Sequence, residues 1–158
     1  MPSLPGSKIR SEDRAWMQRA LRLARDAGRR GEVPIGAVLV LHGRAIGAGS
    51  NRTLRSLDPT AHAEIVALRR AARVVGNHRL TGATLYVTLE PCLMCFGALV
   101  HARIGRLVHG ARDPKVGAIS SLRSRGYPAG LNHRFAAEGG VLADDCAALL
   151  RRFFKARR

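Results

Sequence analysis

The sequence has 158 residues, which suits one domain that buries about 70% of the surface of its unfolded chain. Lysine and arginine together number 27 against 11 acidic residues, so the formal net charge is +16. A surface this basic attracts polyanions, and nucleic acid and anionic lipid are the classes that supply enough phosphate. An arginine-rich composition without functional meaning would give the same charge, so charge alone does not separate these interpretations.

The three cysteines, two of them in one Cys-x-x-Cys motif, favour metal or redox chemistry in a reducing compartment over a disulfide framework. No apolar run is long enough to span a membrane, and residues 1–10 lack the apolar centre of a secretory signal. We therefore expect a cytoplasmic protein without a membrane anchor. Residues 1–10 are expected to form a flexible basic arm and residues 11–158 a single domain.

The first half of this domain predicts two helices around a hairpin. Ser11 is a suitable N-cap for a helix that ends near Gly28. Its apolar residues recur at helical spacing and predict a buried stripe of Trp16, Ala20, Leu23 and Ala27. Residues 34–41 and 44–50 flank His42-Gly43 and predict a β-hairpin. A polar loop over 51–61 then leads into a helix over 62–75.

The second half alternates strands and helices. The predicted strands are 83–88, 106–110 and an edge strand at 135–137. The predicted helices are one that Pro91 starts and that ends near 103, and a terminal one from Ala143 whose inner stripe is Cys146, Leu149, Leu150 and Phe153. Residues 111–134 show little periodicity and are expected to form a long loop. This alternation predicts an α/β domain layered around one mixed sheet.

Two short motifs carry the chemistry. His62 lies two residues before Glu64, and the segment after Pro91 holds Cys92 and Cys95. One imidazole and two thiolates give zinc three ligands and leave its fourth tetrahedral position for water. Glu64 cannot easily bind the same ion, because residues two apart on a helix point in different directions. We therefore predict a Zn²⁺ site with Glu64 as the catalytic group that moves the protons of the water, the pattern of zinc-dependent base deaminases.

Each motif also has a plainer interpretation. A Cys-x-x-Cys motif alone occurs in redox sites and in structural zinc sites, and in a structural site Glu64 would be incidental. A closed structural site requires a fourth protein ligand. Cys146 is the other cysteine, and its place on an apolar helical stripe predicts a core residue.

Longer blocks of the sequence resemble one family. They are Asn51-Arg52, Asp58 to Glu64, Leu85 to Cys92, Gly110 to Asp113, Asn132 to Arg134 and Phe153-Phe154. In this order the blocks resemble bacterial tRNA-specific adenosine deaminases from about residue 14 to the C-terminus. The resemblance implies a three-layer cytidine-deaminase-like fold with a central mixed five-stranded sheet, one zinc ion per subunit and a homodimer. It also implies that the wobble adenosine in the anticodon stem-loop of an arginine tRNA is converted to inosine.

The resemblance assigns further residues by position. It implies that Asn51 hydrogen-bonds the flipped base, and that Ala63 and Glu64 contact its reacting edge. Asp113 matches an acid close to the neighbouring sugar, and Lys115 lies beside it. A contact between Asp113 and a 2′-hydroxyl would help to distinguish RNA from DNA.

The end of the chain combines cations with aromatic rings. Arg151, Arg152 and Phe154 belong to a terminal segment of the kind that tracks phosphates and stacks on bases, so we predict that they bind RNA. Two alternatives stay open. The zinc chemistry does not select a base, so the protein could be a free cytidine, cytosine or guanine deaminase. It could also be a nucleic-acid-binding module with structural zinc.

Overall fold

The computed structural model describes residues 8–158, which form five strands and five helices. The strands are β1 (Gly36–Leu41), β2 (Arg44–Ser50), β3 (Thr84–Leu89), β4 (Arg106–Ala111) and β5 (Ala136–Gly139). The helices are α1 (Asp13–Arg29), α2 (Ala63–Val75), α3 (Leu93–Ala102), α4 (Ala118–Arg125) and α5 (Ala143–Lys155). Within residues 8–158, no helix has the length and apolar character that crossing a membrane requires.

The strands form one mixed sheet in the order β2-β1-β3-β4-β5. β1 pairs antiparallel with both β2 and β3, whereas β3, β4 and β5 run parallel. The predicted hairpin is confirmed, and His42 in its turn has a positive φ of 51°. β5 lies at the edge of the sheet, as predicted. Because of these directions, β2, β3 and β4 all end at the same edge of the sheet, where loops can converge on one site.

Two apolar cores on opposite faces of the sheet make the domain three-layered. On one face, β1 and β3 contribute Leu39 and Leu85 to a core shared with α2, α3 and α4. On the other face, Val38 and Tyr86 pack with residues of α1 and α5, including the buried Cys146. The central strands are therefore buried on both sides, and the predicted core position of Cys146 is confirmed.

Two glycines of β2 bring α2 close to the sheet. A Cβ on Gly47 would lie 2.4 Å from the carbonyl oxygen of Ala67, and one on Gly49 would lie 2.7 Å from a methyl group of Val66. No side chain fits in either space, so α2 packs directly on the backbone of β2. This contact sets the position of the start of α2, which carries His62 and Glu64.

The start of α1 differs from the prediction. Glu12, and not Ser11, precedes the first helical residue, and no side chain caps this end. The buried face consists of Met17, Ala20, Leu21, Ala24 and Ala27, together with Asp13, so the predicted stripe was wrong at Trp16 and Leu23, which are partly buried. The face is rotated because Asp13 turns inward and pairs with a buried arginine.

That ion pair joins α1 to the sheet. The two oxygens of Asp13 accept hydrogen bonds from Arg106 at 2.7 and 2.8 Å, and one of them also accepts the hydroxyl of Tyr86 at 2.9 Å. Residues 1–7 of the predicted arm lie outside the described residues. Of its last three residues, Lys8 accepts a hydrogen bond from Arg106 through its carbonyl, and Arg10 donates its N–H to Asp13.

Two other predictions were wrong in detail. Residues 111–134 contain the two-turn helix α4, which the sequence signals only weakly because just Ala118, Ile119 and Leu122 are buried. α3 begins at Leu93, two residues after Pro91. Cys92 instead forms an isolated antiparallel bridge with Gly117, and this bridge holds its backbone extended.

Candidate metal centre and nucleic-acid groove

The starts of α2 and α3 bring the three predicted ligands together. His62 and Cys92 are the N-cap residues of these helices, and Cys95 lies three residues further along α3. The Nδ1 atom of His62 lies 3.7 Å from the sulfur of Cys92 and 3.5 Å from that of Cys95. All three ligand atoms fall within 4.8 Å of one another, so these residues could hold a metal ion.

The donor set fits zinc. One imidazole nitrogen and two sulfurs are a common ligand combination for Zn²⁺, and two helix N-termini add partial positive charge that favours thiolates. Cys92 accepts hydrogen bonds from Cys95 and His62, which lowers the pKa of Cys92 to about 3, whereas donating that bond raises the pKa of Cys95. A thiolate is therefore already favoured at the point where a cation would bind.

Glu64 lies in the first turn of α2 with only 4% of its surface exposed. Burial raises the pKa of its carboxyl group, and this effect outweighs the hydrogen bond from Cys95 and the charge of His62. A raised pKa suits a group that takes up a proton and releases it again during a reaction. Glu64 lies outside the three-residue group that could hold a metal ion, and its role in proton transfer stays a prediction.

The predicted base-binding residues lie beside this centre. Asn51 follows β2, is 6% exposed, and donates its N–H to the carbonyl of Ile35. The next residue, Arg52, donates its N–H to the carbonyl of Ala61 and so closes the loop that leads from Asn51 to His62. Ala63 is fully buried at the first position of α2. Their roles in binding a base stay predictions.

Glu90 connects the metal centre with the loop after β4, a role that the sequence analysis missed. It is 2% exposed and immediately precedes Pro91-Cys92. One carboxylate oxygen accepts the N–H of Asp113 at 2.8 Å, and the other accepts the N–H and hydroxyl of Ser120 at 2.6 and 2.7 Å. Burial alone would raise the pKa of Glu90, but these hydrogen bonds outweigh it and hold the pKa below its usual range.

The space around Gly117 shows how tightly this connection is packed. A Cβ there would lie 2.2 Å from a carboxylate oxygen of Glu90 and 2.4 Å from the carbonyl oxygen of Asp113. The position of Glu90 directly before Pro91-Cys92 is the one sequence signal that pointed to it. Its partners are 23 and 30 residues away, and nothing local in the sequence indicates them.

A groove of about 1040 Å³ runs between α5 and the loop after β4. Its lining includes Asp113, Lys115, Arg151 and Phe154. Six cations and one acid line it; the cations are Arg112, Lys115, Arg151, Lys155, Arg157 and Arg158. Arg152 is exposed on α5 but is not one of the lining residues. The structure thus brings four of the five side chains predicted to contact RNA outside the base pocket into one basic groove.

Individual side chains in the groove differ in their exposure and in the contacts they already make. One oxygen of Asp113 accepts the N–H groups of Lys115 and Val116, so it shapes the turn before α4. Phe154 is 49% exposed, while its neighbour Phe153 is partly buried under the guanidinium of Arg157, 3.5 Å from the ring centroid. Phe154 is therefore the ring available for stacking on a base.

Comparison with known proteins identifies the family. A family model described as MafB19-like deaminase matches residues 11–158. The tRNA-specific adenosine deaminase of Haemophilus influenzae is 50% identical over 157 residues, which cover 98% of this chain and 91% of that protein. The chain belongs to the tRNA-specific adenosine deaminase family. The tRNA-specific adenosine deaminase of Agrobacterium fabrum is likewise 50% identical, over 90% of this chain and 94% of its own length.

Solved structures agree with this assignment. A structure from a study of A-to-I editing by tRNA:A34 deaminases at the wobble position of transfer RNA has a TM-score of 0.82 and 50% identity, and the match covers 86% of this chain and 99% of that one. A guanine deaminase from Bacillus subtilis has a TM-score of 0.62 and 39% identity over 66% of each chain. The predicted α/β cytidine-deaminase-like fold is confirmed, and so is the prediction of a deaminase.

Proposed function

We propose that this protein hydrolyses the wobble adenosine of a tRNA, an arginine tRNA in the first instance, to inosine and ammonia. The observation that carries the proposal is the placement of a buried Glu64 carboxyl beside three convergent metal ligands, next to a basic groove. The identity of the base comes from the relatives, which are tRNA-specific adenosine deaminases. A tRNA substrate is also consistent with the cytoplasmic location expected from the sequence.

The residues of the site have separate roles in the reaction. His62, Cys92 and Cys95 would hold Zn²⁺, which when bound supplies an acidified water at neutral pH. Glu64 would carry two protons in turn from an attacking water: the first to a ring nitrogen of the base and the second to the departing amine. The oxygen of the water replaces the amino group at the amidine carbon, and ammonia leaves. General acid–base assistance of this kind contributes about 10²–10⁴ in rate.

The RNA must expose the adenosine before it can react, because a stacked base cannot reach a buried carboxylate. We propose that Asn51 and Ala63 hold the extruded base against Glu64, and that Asp113 contacts the sugar next to it. Lys115, Arg151, Arg152 and Phe154 would then bind the rest of the anticodon loop. Both the six cations of the groove and the exposed ring of Phe154 favour a single-stranded anion with free bases.

We also propose that the protein works as a homodimer with one zinc ion per subunit. Apolar side chains next to the metal centre support this proposal. Leu93, the first residue of α3, is 69% exposed, and Val116 in the loop before α4 is 63% exposed. Sedimentation equilibrium with the wild type and with Leu93→Glu would measure the oligomeric state. A wild type that stays monomeric at micromolar concentration would contradict the proposed homodimer.

A substrate comparison tests the function. Zinc-loaded protein is incubated with an arginine tRNA, with free cytidine and with free guanine, and inosine and ammonia are measured. We expect inosine in the tRNA and no ammonia from the small compounds. Ammonia from guanine alone would favour the guanine deaminase activity of the Bacillus subtilis neighbour. The absence of product from every substrate would favour a nucleic-acid-binding module.

A further inference from the structure

A second basic cavity lies on the far side of the segment that borders the groove. It encloses about 130 Å³ between the end of α1, the end of β2 and the loop that follows β2. Four arginines line it, namely Arg30, Arg52, Arg55 and Arg70, and we call it the arginine pocket. Glu32 lines this pocket and the next residue, Val33, lines the groove, so the two basic surfaces meet at this segment.

Within residues 8–158, neither acidic residue of the arginine pocket forms an ion pair with its arginines. Asp26 pairs with Arg29, which is not part of the pocket, at 2.7 Å. Glu32 is 1% exposed, and its two oxygens accept the backbone N–H groups of Leu54 and Arg55 at 3.1 Å each. Four guanidinium groups against two carboxylates leave the pocket with a net positive charge, which attracts an anion from outside.

One guanidinium has a buried donor without a partner. The Nε atom of Arg52 is inaccessible to solvent and has no hydrogen-bond acceptor among residues 8–158. A buried N–H without an acceptor is costly, so Arg52 gains by turning its guanidinium towards an acceptor in the pocket, and arginine donors match the oxygens of phosphate in geometry and charge. The position of Arg52 is set by its neighbours, because its N–H binds the carbonyl of Ala61 and its own carbonyl accepts the N–H of Ser56.

The pocket also adjoins the expected position of the reacting base. Asn51, the residue predicted to hold that base, lines the arginine pocket. The space is large enough for one phosphate group but too small for a nucleoside. We propose that the arginine pocket binds one backbone phosphate of the RNA substrate close to the extruded adenosine, on the opposite side from the groove. This proposal rests on the proposed function, since it assumes an RNA substrate.

Such a site would anchor the RNA on both sides of the base that leaves the stack. The groove binds the strand on one side, and the arginine pocket binds one phosphate on the other. Two anchors a fixed distance apart hold the strand in the bent path that base extrusion needs. A free nucleoside or nucleobase carries no such phosphate, so the pocket favours a polynucleotide over a small molecule.

Binding of a synthetic anticodon stem-loop tests the proposal without requiring turnover. Arg30→Gln/Arg55→Gln removes two exposed charges from the pocket and leaves Arg52 and its backbone contacts in place. Arg44→Gln/Arg79→Gln is the control, because it removes the same charge from exposed residues at the other end of the sheet. We expect the pocket variant to bind about tenfold more weakly, with its salt slope reduced by about 0.7–0.9, the value for one phosphate.

A set of stem-loops, each with one neutral methylphosphonate linkage near the target adenosine, locates that phosphate. We expect one linkage at which neutralisation weakens binding to the wild type but not to the pocket variant. Equal behaviour of the pocket variant and the control would overturn the proposal, as would a stem-loop that the wild type does not bind. Because only binding is measured, a protein that binds the stem-loop without forming inosine would contradict the proposed function and leave the phosphate site in place.

Discussion

The ligand atoms of the metal centre and the charges of the groove are held in different ways. His62 and Cys92 cap two helices that pack against the sheet, and Cys95 is fully buried. The groove's cations are exposed side chains on α5, on the residues that follow it and on the loop after β4, except where Arg157 lies over Phe153. The centre is thus preorganised, as catalysis requires, while the groove can adapt its side chains to a flexible strand.

This contrast separates two kinds of effect. Changes at the centre should alter the rate of the chemical step, because interactions made only in the transition state act on kcat. Changes in the groove should alter affinity and its dependence on salt. Glu90 is the residue that links the metal centre and the groove, so its substitution should affect both the rate of the chemical step and the affinity for tRNA.

The largest effect is expected at Glu64. Glu64→Ala removes the proton carrier but none of the three ligands, so we expect bound zinc to stay at one ion per subunit. Single-turnover deamination of the tRNA should fall about 10²–10⁴-fold. Glu64→Gln, which keeps the shape of the side chain, should lose the same activity. A zinc-loaded variant with full activity would show that Glu64 has no part in proton transfer.

The next largest effect is expected from Glu90→Gln. Both carboxylate oxygens accept backbone N–H groups, so an amide would place its own NH₂ against one of them. We expect kcat/KM for tRNA to fall on the order of tenfold, with an increased KM and unchanged zinc content. The pKa of Glu90 lies below its usual range, so the wild-type contacts persist at neutral pH and are lost only as the pH falls through that lowered value.

Ser120→Ala is the control for Glu90→Gln. It removes one of the two hydrogen bonds that Ser120 makes and leaves the backbone contact intact. A double-mutant cycle combines Glu90→Gln with Asp113→Ala. We expect the losses of kcat/KM to be non-additive, because Glu90 acts through the loop after β4. Additive losses would mean that Glu90 acts elsewhere in the fold.

A smaller effect on turnover is expected from the C-terminal helix. Neutralising Arg151, Arg152 and Lys155 with glutamine should weaken tRNA binding about tenfold or more and flatten its salt dependence, while kcat at saturating tRNA stays unchanged. Arg44→Gln/Arg73→Gln/Arg79→Gln, which removes the same charge from exposed residues outside the groove, is the control. An unchanged salt slope in the α5 variant would remove this helix from the RNA interface.

The smallest effect on catalysis is expected from the buried pair of Asp13 and Arg106, which belongs to neither region. Asp13→Ala leaves Arg106 buried without its carboxylate, and we expect a loss of about 3–5 kcal/mol in the free energy of unfolding. Activity per folded molecule should not change. Asp26→Ala, which breaks the exposed pair with Arg29, should change stability by less than about 1 kcal/mol. Urea denaturation measures both.

The same pair gives the acid dependence of stability a definite sign. Burial alone would raise the pKa of Asp13, but the hydrogen bonds from Arg106, Arg10 and Tyr86 and the charge of Arg106 outweigh it, and the pKa falls below 3.8. The pair therefore stabilises the protein at neutral pH, and the contribution is lost as the pH falls from 3.8 through the lowered value. In Asp13→Ala, the part of the pH dependence of the free energy of unfolding that comes from protonation of Asp13 should be absent.

Features that depend on local patterns were predictable. The grouping of His62, Cys92 and Cys95 as possible metal ligands beside Glu64 follows from residue type and spacing alone, because a helix start presents its first residues in a known geometry. The hairpin around His42-Gly43 and the alternation of helices with strands were predictable for the same reason. The family blocks added Asn51 and Asp113, which spacing alone does not distinguish from ordinary turn residues.

Features that depend on distant partners were not predictable. The choice of which face α1 buries follows from Asp13, whose partner Arg106 lies 93 residues away. α4 forms where Glu90 accepts the N–H of Ser120 and Pro91 accepts that of Ala118, although its own sequence is only weakly amphipathic. Propensity and periodicity describe a segment by itself, and these segments take their form from hydrogen bonds that exist only once the sheet has assembled.

The sequence by itself therefore determined the candidate chemistry of this protein, namely three residues that could hold a metal ion and a buried acid at helix starts. Tertiary structure alone decided what surrounds that chemistry. It placed the groove on one side of the Glu32-Val33 segment and the arginine pocket on the other. The reason is physical: ligand spacing is a property of a few adjacent residues, whereas a basic surface is assembled from side chains that only the packing of α1, α5 and the loops brings together.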